Sequence, residues 1–239
     1  MLRALALAFF TALLAAASPA VAALDPTLAA EGWRALPNPG RAPLALARDG
    51  ETGLSITGAG GIVIAYQPMR VPVGPNTCLA WRWRIDRGPP ATDLTRTHGA
   101  DRGLALWVGF EPDAERMGLL QRYLMGVASM TPERRMLPGF ILLYVHGGTG
   151  REPDWHRSPL TGGLGKALVL SPAGVGLGEW VEHEVPLAAH FRAAFGIAPT
   201  GFVTELAVSA DGDDTGAEIA SRVGALSFRT CGSRAQPAR

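Results

Sequence analysis

The chain has none of the short motifs that mark the common catalytic folds. Its 239 residues contain no G-x-S-x-G nucleophile elbow, no H-E-x-x-H, no C-x-x-C and no G-x-G-x-x-G opening a βαβ unit. Gly162–Lys166 resembles a phosphate-binding loop only superficially, because Leu160 and Ala167 replace the required Gly and Ser/Thr. These absences disfavour an α/β-hydrolase, a zinc enzyme and a nucleotide-binding domain.

The chain also lacks an excess of charge of either sign. The sequence has 22 Lys and Arg against 21 Asp and Glu, a formal net charge of +1. A nucleic-acid-binding domain or a basic membrane-binding patch needs a marked local excess of positive charge. The composition therefore predicts no nucleic-acid partner.

Long apolar runs are confined to the N-terminus. Met1–Arg3 is short and positive, residues 4–17 are almost all apolar, and Ala20–Ala22 provides the small residues that a signal peptidase needs. We predict that residues 1–22 are a secretory signal peptide. The mature chain would then be periplasmic or extracellular and would have no transmembrane segment. The alternative is an uncleaved N-terminal anchor.

Cysteine is scarce, with only Cys78 and Cys231 in the chain. Cys78 opens a predicted strand and Cys231 closes the last one. If those two strands are neighbours, an oxidising compartment would allow a disulfide between them. The alternative is a pair of buried free thiols.

The pattern that the chain does have is that of a β-sheet protein. Short alternating or continuous apolar stretches recur between turns, and the 30 Gly and 19 Pro supply those turns. We expect one all-β domain over residues 23–230 and a disordered tail at 231–239. Helices are predicted at 112–128 and 187–195, the second with Gly196 as its C-cap. The predicted strands are 43–48, 52–57, 61–68, 78–86, 103–110, 140–146, 166–171, 179–185, 202–209 and 223–230.

Several polar and aromatic side chains are candidates for ligand binding. Arg82 and Arg84 share one face of their strand, where they could bind an anion or pair with acids. Trp107 has the small neighbours Ala105 and Gly109, so its ring could stack on a sugar or pack beneath the first helix. The predicted surface requires all its members to lie on one sheet face; they are Arg82, Arg84, Asp101, Trp107, Tyr144 and Glu205.

Asp211–Gly216 is the sharpest local motif. Its three carboxylates follow a strand directly, and a calcium ion bound by Asp211 and Asp213 would relieve their repulsion. Arg222 stands where an EF-hand would have its bidentate Glu, so the motif is not an EF-hand. The alternative is an Asp/Gly turn in which the carboxylates cap backbone donors.

Taken in order, eight segments of the chain resemble the bacterial secreted family known as domain of unknown function 3047, over roughly residues 28–230. The segments are Trp81–Asp86, Ala100–Arg102, the strand ending at Phe110, Tyr144-Val145, Ser158-Pro159, Gly178–Val181, His190–Gly196 and Asp211–Gly216.

The resemblance implies an antiparallel two-sheet β-sandwich similar to carbohydrate-binding jelly rolls, with no established activity. The chain departs from the family pattern at Arg102-Gly103, His146 and Asp214, which puts a polar site in this region in doubt.

Three functions are compatible with these patterns. The leading hypothesis is an exported, non-catalytic protein that binds a glycan or another cell-envelope component. The first alternative is a polysaccharide-acting enzyme that uses Glu205, His146 or the aspartate cluster as acid and base. The second is an envelope scaffold that presents the predicted helix at 112–128 to a partner.

Overall fold

The computed structural model describes residues 24–119, 122–123, 126, 139–161 and 164–233. The predicted signal peptide lies outside the described residues and stays a prediction. The helices whose bounds the structure gives are α1 Pro26–Ala30 and α2 Leu187–Phe195, with a 3-10 turn at Pro159–Thr161.

The described strands form two sheets. Their bounds are β1 Arg34–Ala35, β2 Ala42–Pro43, β3 Ala45–Asp49, β4 Gly53–Ala59, β5 Gly61–Pro72, β6 Thr77–Arg87, β7 Arg102–Phe110, β8 Phe140–Gly147, β9 His156–Arg157, β10 Gly165–Ser171, β11 Val181–Pro186, β12 Phe202–Asp211 and β13 Glu218–Thr230. The larger, eight-stranded sheet has the order β1-β5-β12-β7-β8-β10-β9, with β2 also paired to β5. The smaller, five-stranded sheet has the order β11-β6-β13-β4-β3.

This arrangement confirms the two-sheet β-sandwich. Each of the predicted strands is present, with ends shifted by a few residues. The prediction missed β1, β2 and β9, which have two residues each and are too short to show alternation. Most pairs are antiparallel, but β10 runs parallel to β8 and β2 runs parallel to β5. The larger sheet is therefore mixed.

The core lies between the sheets, where aromatic rings from the two layers meet. Trp83 is fully buried and lies edge-on to Trp81, with ring centroids 5.6 Å apart. Trp81 in turn contacts Tyr144 of the larger sheet at 5.4 Å. Burying a large apolar side chain in this way contributes about 1.5–3 kcal/mol. These rings therefore hold β6 and β8 together across the sandwich.

Helix α2 confirms the prediction at 187–195. It ends at Gly196, which adopts the left-handed conformation with φ of 73° that favours glycine at a helix C-terminus. Its buried Phe191 lies edge-on to Phe110 at 4.7 Å and to Phe140 at 5.3 Å. The helix therefore closes one end of the core.

The predicted helix at 112–128 begins too early. Residues 114–116 form a turn in which the Asp113 carboxylate accepts from the N–H groups of Glu115 and Arg116 at 3.1 and 3.3 Å. Such local hydrogen bonds compete with helical ones. Residues 119, 122, 123 and 126 are helical, and the rest of the interval 120–128 lies outside the described residues.

The disulfide between Cys78 and Cys231 is formed, across a sequence separation of 153. It is possible because β6 and β13 are neighbours, as the prediction required. Two residues beyond the disulfide also form hydrogen bonds. The Gly232 N–H donates to the Glu184 carboxylate at 2.7 Å, and the Ser233 N–H donates to the Thr230 carbonyl oxygen at 3.1 Å. Ordered contacts thus extend into the predicted tail, of which residues 234–239 lie outside the described part.

Candidate functional site

The six predicted binding residues do not share one face, so that part of the prediction is wrong. Arg82 and Arg84 lie on the outer face of the smaller sheet, opposite the buried Trp81 and Trp83. Tyr144 faces the core and is fully buried. The physical reason is that alternation assigns side chains to two faces of a strand but does not say which strands share a sheet.

Trp107 and Glu205 do share a face, the outer face of the larger sheet. There Trp107 pairs with Ala207, two residues along β12 from Glu205. The Trp107 ring is only 8% exposed, and its Nε1–H donates to the Ser209 hydroxyl at 2.9 Å. The indole is therefore part of a packed layer and offers no open stacking platform.

Charged side chains are buried at one end of the sandwich. Register places this end at the start of β7, the end of β8 and the end of β12, because Arg102 pairs with both Gly147 and Asp211. Asp101, Arg102, His146 and Asp211 are each no more than 4% exposed there. Burial of ionisable groups is costly unless they are paired, so this end is where a specialised site is expected.

Arg102 and Asp211 form a buried ion pair, with Nη2 2.9 Å from Oδ2 and side chains 5% and 6% exposed. The Arg102 backbone N–H also donates to Asp211 Oδ1 at 2.7 Å. Burial raises the pKa of Asp211 to about 6, against the opposing effect of the Arg102 guanidinium. The Asp211 carboxylate thus has both its ion-pair partner and a backbone hydrogen bond within the protein.

The carboxylates of Asp101, Asp213 and Asp214 also have partners within the protein. The Asp101 carboxylate accepts from the Thr215 N–H at 2.8 Å and from its hydroxyl at 2.6 Å. Asp213 is ion-paired with Arg41, and Asp214 accepts from the Gly99 N–H at 2.7 Å. In the part of the chain that the structure describes, no three His, Cys, Asp or Glu side chains are placed to hold a metal ion. Calcium stays a prediction from the sequence.

Beside this network lies a cavity of about 410 Å³. The loops after β6 and β10, the start of β7 and the end of β8 surround it, and four of its lining residues are glycines. A Cβ at Gly103 would lie 3.3 Å from Ile85 and 3.7 Å from His146 Nδ1. A methyl group at Gly103 would therefore contact two residues of the cavity wall.

His146 is the buried polar group of this cavity. Its Nε2–H donates to the Val175 carbonyl oxygen at 3.0 Å, and its ring lies edge-on to Trp83. Burial lowers the pKa of His146, so the imidazole is neutral at pH 7. With the proton on Nε2, Nδ1 is left as an acceptor.

The rim of the cavity is apolar and exposed. Val175 is 55% exposed and Leu177 is 48% exposed, and Leu177 also lines the cavity. Gly174, Gly176 and Gly178 alternate with them at φ of 81°, 66° and 77°. Sequence analysis missed this loop, although the G-x-G-x-G pattern of 174–178 was its visible signal.

The fold and this loop-end cavity define a two-sheet β-sandwich with a small-molecule-sized pocket at one end. The chain belongs to the family described as protein of unknown function (DUF3047), whose model matches residues 42–227. A search of curated proteins found no match.

Two solved structures are distantly similar. The first is the glycoside hydrolase domain of Endo-D from Streptococcus pneumoniae R6, at 9% identity and a TM-score of 0.34 over 85% of this chain. The chain spans only 22% of the length of that structure. The second is CBM28, a carbohydrate-binding module specific for non-crystalline cellulose, at 10% identity and a TM-score of 0.35. That similarity covers 84% of this chain and 90% of the module.

Proposed function

We propose that this is an exported, non-catalytic binding protein whose loop-end cavity takes the apolar part of a cell-envelope component. The cavity itself carries the proposal. At about 410 Å³ it falls within the size range of ligand pockets, and a single buried imidazole among carbon-rich walls is a common composition for them.

The lining favours an acyl chain over a sugar. Among the described lining residues, His146 is the one ionisable side chain and none is a carboxylate. A sugar in such a pocket would leave most of its hydroxyls without partners, which costs free energy. An acyl chain has no hydroxyl groups that need partners and would bury the exposed Leu177.

The enzyme alternative lacks carboxylates that are available to a substrate. Asp101, Asp211, Asp213 and Asp214 line one pocket, but each already accepts from or pairs with a protein group. Glu205 and Asp211 lie on the same strand six residues apart, which is about 20 Å at the rise of a β-strand. His146 lines the cavity, where none of the described lining residues is a carboxylate. An acid and a base must both reach one substrate atom, so this separation argues against the pair.

Export is part of the proposal. A disulfide that closes most of the domain persists in oxidising compartments and is rare in reducing ones. Within the described residues, no helix has the length and apolar character needed to cross a membrane.

The test is a thermal unfolding titration with octanoate and, separately, with maltohexaose. We expect octanoate to raise the unfolding midpoint, because a ligand that binds only the native state stabilises it. Gly103→Ala adds a methyl group inside the cavity and should reduce that shift at least by half. Gly74→Ala is the matched control at the opposite end of the sandwich, where a Cβ meets only Thr77 Oγ1 at 3.8 Å.

Two results would contradict the proposal. An octanoate shift that is the same in Gly103→Ala and wild type would place the ligand elsewhere. A shift with maltohexaose alone that Gly103→Ala abolishes would assign the cavity to a sugar.

A further inference from the structure

Two arginines lie directly opposite each other on the outer face of the smaller sheet. Arg84 on β6 pairs with Arg222 on β13, and their side chains are 34% and 46% exposed. Directly opposed residues have Cβ atoms about 4.5–5.5 Å apart, and like charges at such positions destabilise a sheet. Cross-strand pairing therefore does not explain why two arginines lie opposite each other.

The acidic neighbours compensate these charges only in part. Asp86 contacts Arg84 at Nε, 2.7 Å away. Asp49 lies 3.9 Å from Arg222 Nε, which is beyond hydrogen-bonding distance. Exposed pairs of this kind contribute little in water, so the two guanidinium groups remain available to an incoming anion.

A third arginine and an indole extend the same face. Arg82 follows the same strand face as Arg84, and its guanidinium lies 4.5 Å from the centre of the Trp180 ring. Trp180 is 37% exposed, so its ring is open to solvent beside the arginine. Arg82 pairs with Gly224 on β13, and a Cβ at Gly224 would lie 3.9 Å from Arg82 Nε, so the arginine lies over this glycine. On its other side Arg82 pairs with Glu182 of β11.

We propose that this face binds an acidic glycan. The carboxylate of a uronic acid would lie between Arg84 and Arg222, whose planar guanidinium groups match it bidentately. A neighbouring sugar ring would stack on Trp180, with Arg82 fixing the indole. This surface differs from the loop-end cavity in residues and in ligand chemistry, so it goes beyond the proposed function.

Binding is measured by titration calorimetry with alginate, a polyuronate, and with dextran as the neutral polymer. We expect binding of alginate and none of dextran, weakening as salt screens the charges. In Arg84→Gln/Arg222→Gln the dissociation constant should rise about tenfold or more, because two charge-assisted contacts are lost. The same variant without ligand should unfold at the same temperature as wild type or higher, because the like-charge repulsion is gone.

Arg70→Gln is the matched control. Arg70 is also an exposed arginine stacked on a ring, 3.5 Å from the centre of Phe202, but it lies on the larger sheet. We expect alginate to bind Arg70→Gln as it binds wild type. Trp180→Ala should weaken alginate binding while leaving competition by inorganic phosphate unchanged, since phosphate has no ring to stack.

Three outcomes would overturn the inference. They are alginate binding that survives Arg84→Gln/Arg222→Gln, equal losses in Arg70→Gln, and alginate binding that Trp180→Ala leaves untouched. The octanoate titration of the double variant separates the two proposals, because the cavity contains neither arginine.

Discussion

The Arg102–Asp211 pair is removed from water almost completely, with side chains 5% and 6% exposed. Loss of hydration disfavours the charged Asp211 carboxylate more than its attraction to Arg102 favours it. The pKa of Asp211 is therefore raised to about 6. Removing one partner from such a pair leaves an uncompensated buried charge and costs about 3–5 kcal/mol. We therefore expect Arg102→Met to be strongly destabilising.

The shifted pKa of Asp211 predicts a pH dependence of stability. The folded carboxyl keeps its proton up to about pH 6, whereas the ordinary value is 3.8, so the stabilisation is fully present below pH 3.8 and is lost as pH rises through 6. We expect the free energy of unfolding of wild type, measured by urea denaturation, to fall by on the order of 3 kcal/mol between pH 4 and pH 7, relative to that of Asp211→Asn. A difference that stays constant over this range would contradict the raised pKa.

At the scale of elements, β13 contains a bulge with an unusual backbone conformation. Its pairing with β6 shifts register between Gly224 and Ser227, and Ala225 within this bulge has φ of 54°. A residue with a Cβ is strained in this left-handed region, by about 1–2 kcal/mol. The bulge therefore stores strain at an exposed position.

Glycine at this position should relieve the strain. We expect Ala225→Gly to raise the free energy of unfolding by about 0.5–1 kcal/mol, against the usual cost of glycine in a strand. Ala47→Gly in the regular strand β3 is the control and should lower it. Chemical denaturation of both variants measures the difference, and a loss in Ala225→Gly would show that the bulge is not strained.

At the scale of the whole molecule, one covalent bond joins distant parts of the chain. Cys78 and Cys231 close a loop that includes most of the domain. In the chain-entropy model, restricting so long a loop in the unfolded state stabilises the fold by about 5 kcal/mol. The stability of this sandwich should thus depend on its redox environment.

We expect Cys78→Ala/Cys231→Ala to lower the free energy of unfolding by up to about 5 kcal/mol. Dithiothreitol should destabilise wild type by a similar amount and leave the double variant unchanged. Equal stability of wild type with and without the reductant would mean that the bond contributes nothing in solution.

The candidate site was less predictable than the fold. Alternation identified Arg82 and Arg84 as neighbours on one face, and the structure keeps them exposed together. It also suggested Trp107 and Tyr144, whose polar atoms are instead bonded inside packed layers. The cavity was missed entirely, because glycines such as Gly103 are indistinguishable in sequence from those that simply end strands.

The sequence by itself determined the longer β-strands, helix α2 and the feasibility of the disulfide, because these depend on periodicity, capping and the order of elements. Only the tertiary structure decided which strands share a sheet, that Arg84 opposes Arg222, and that four buried ionisable residues meet at one end. The physical reason is the range of the interactions. Periodicity is set by neighbours within one turn or one pleat, whereas pairing and cavities arise between segments far apart in the chain.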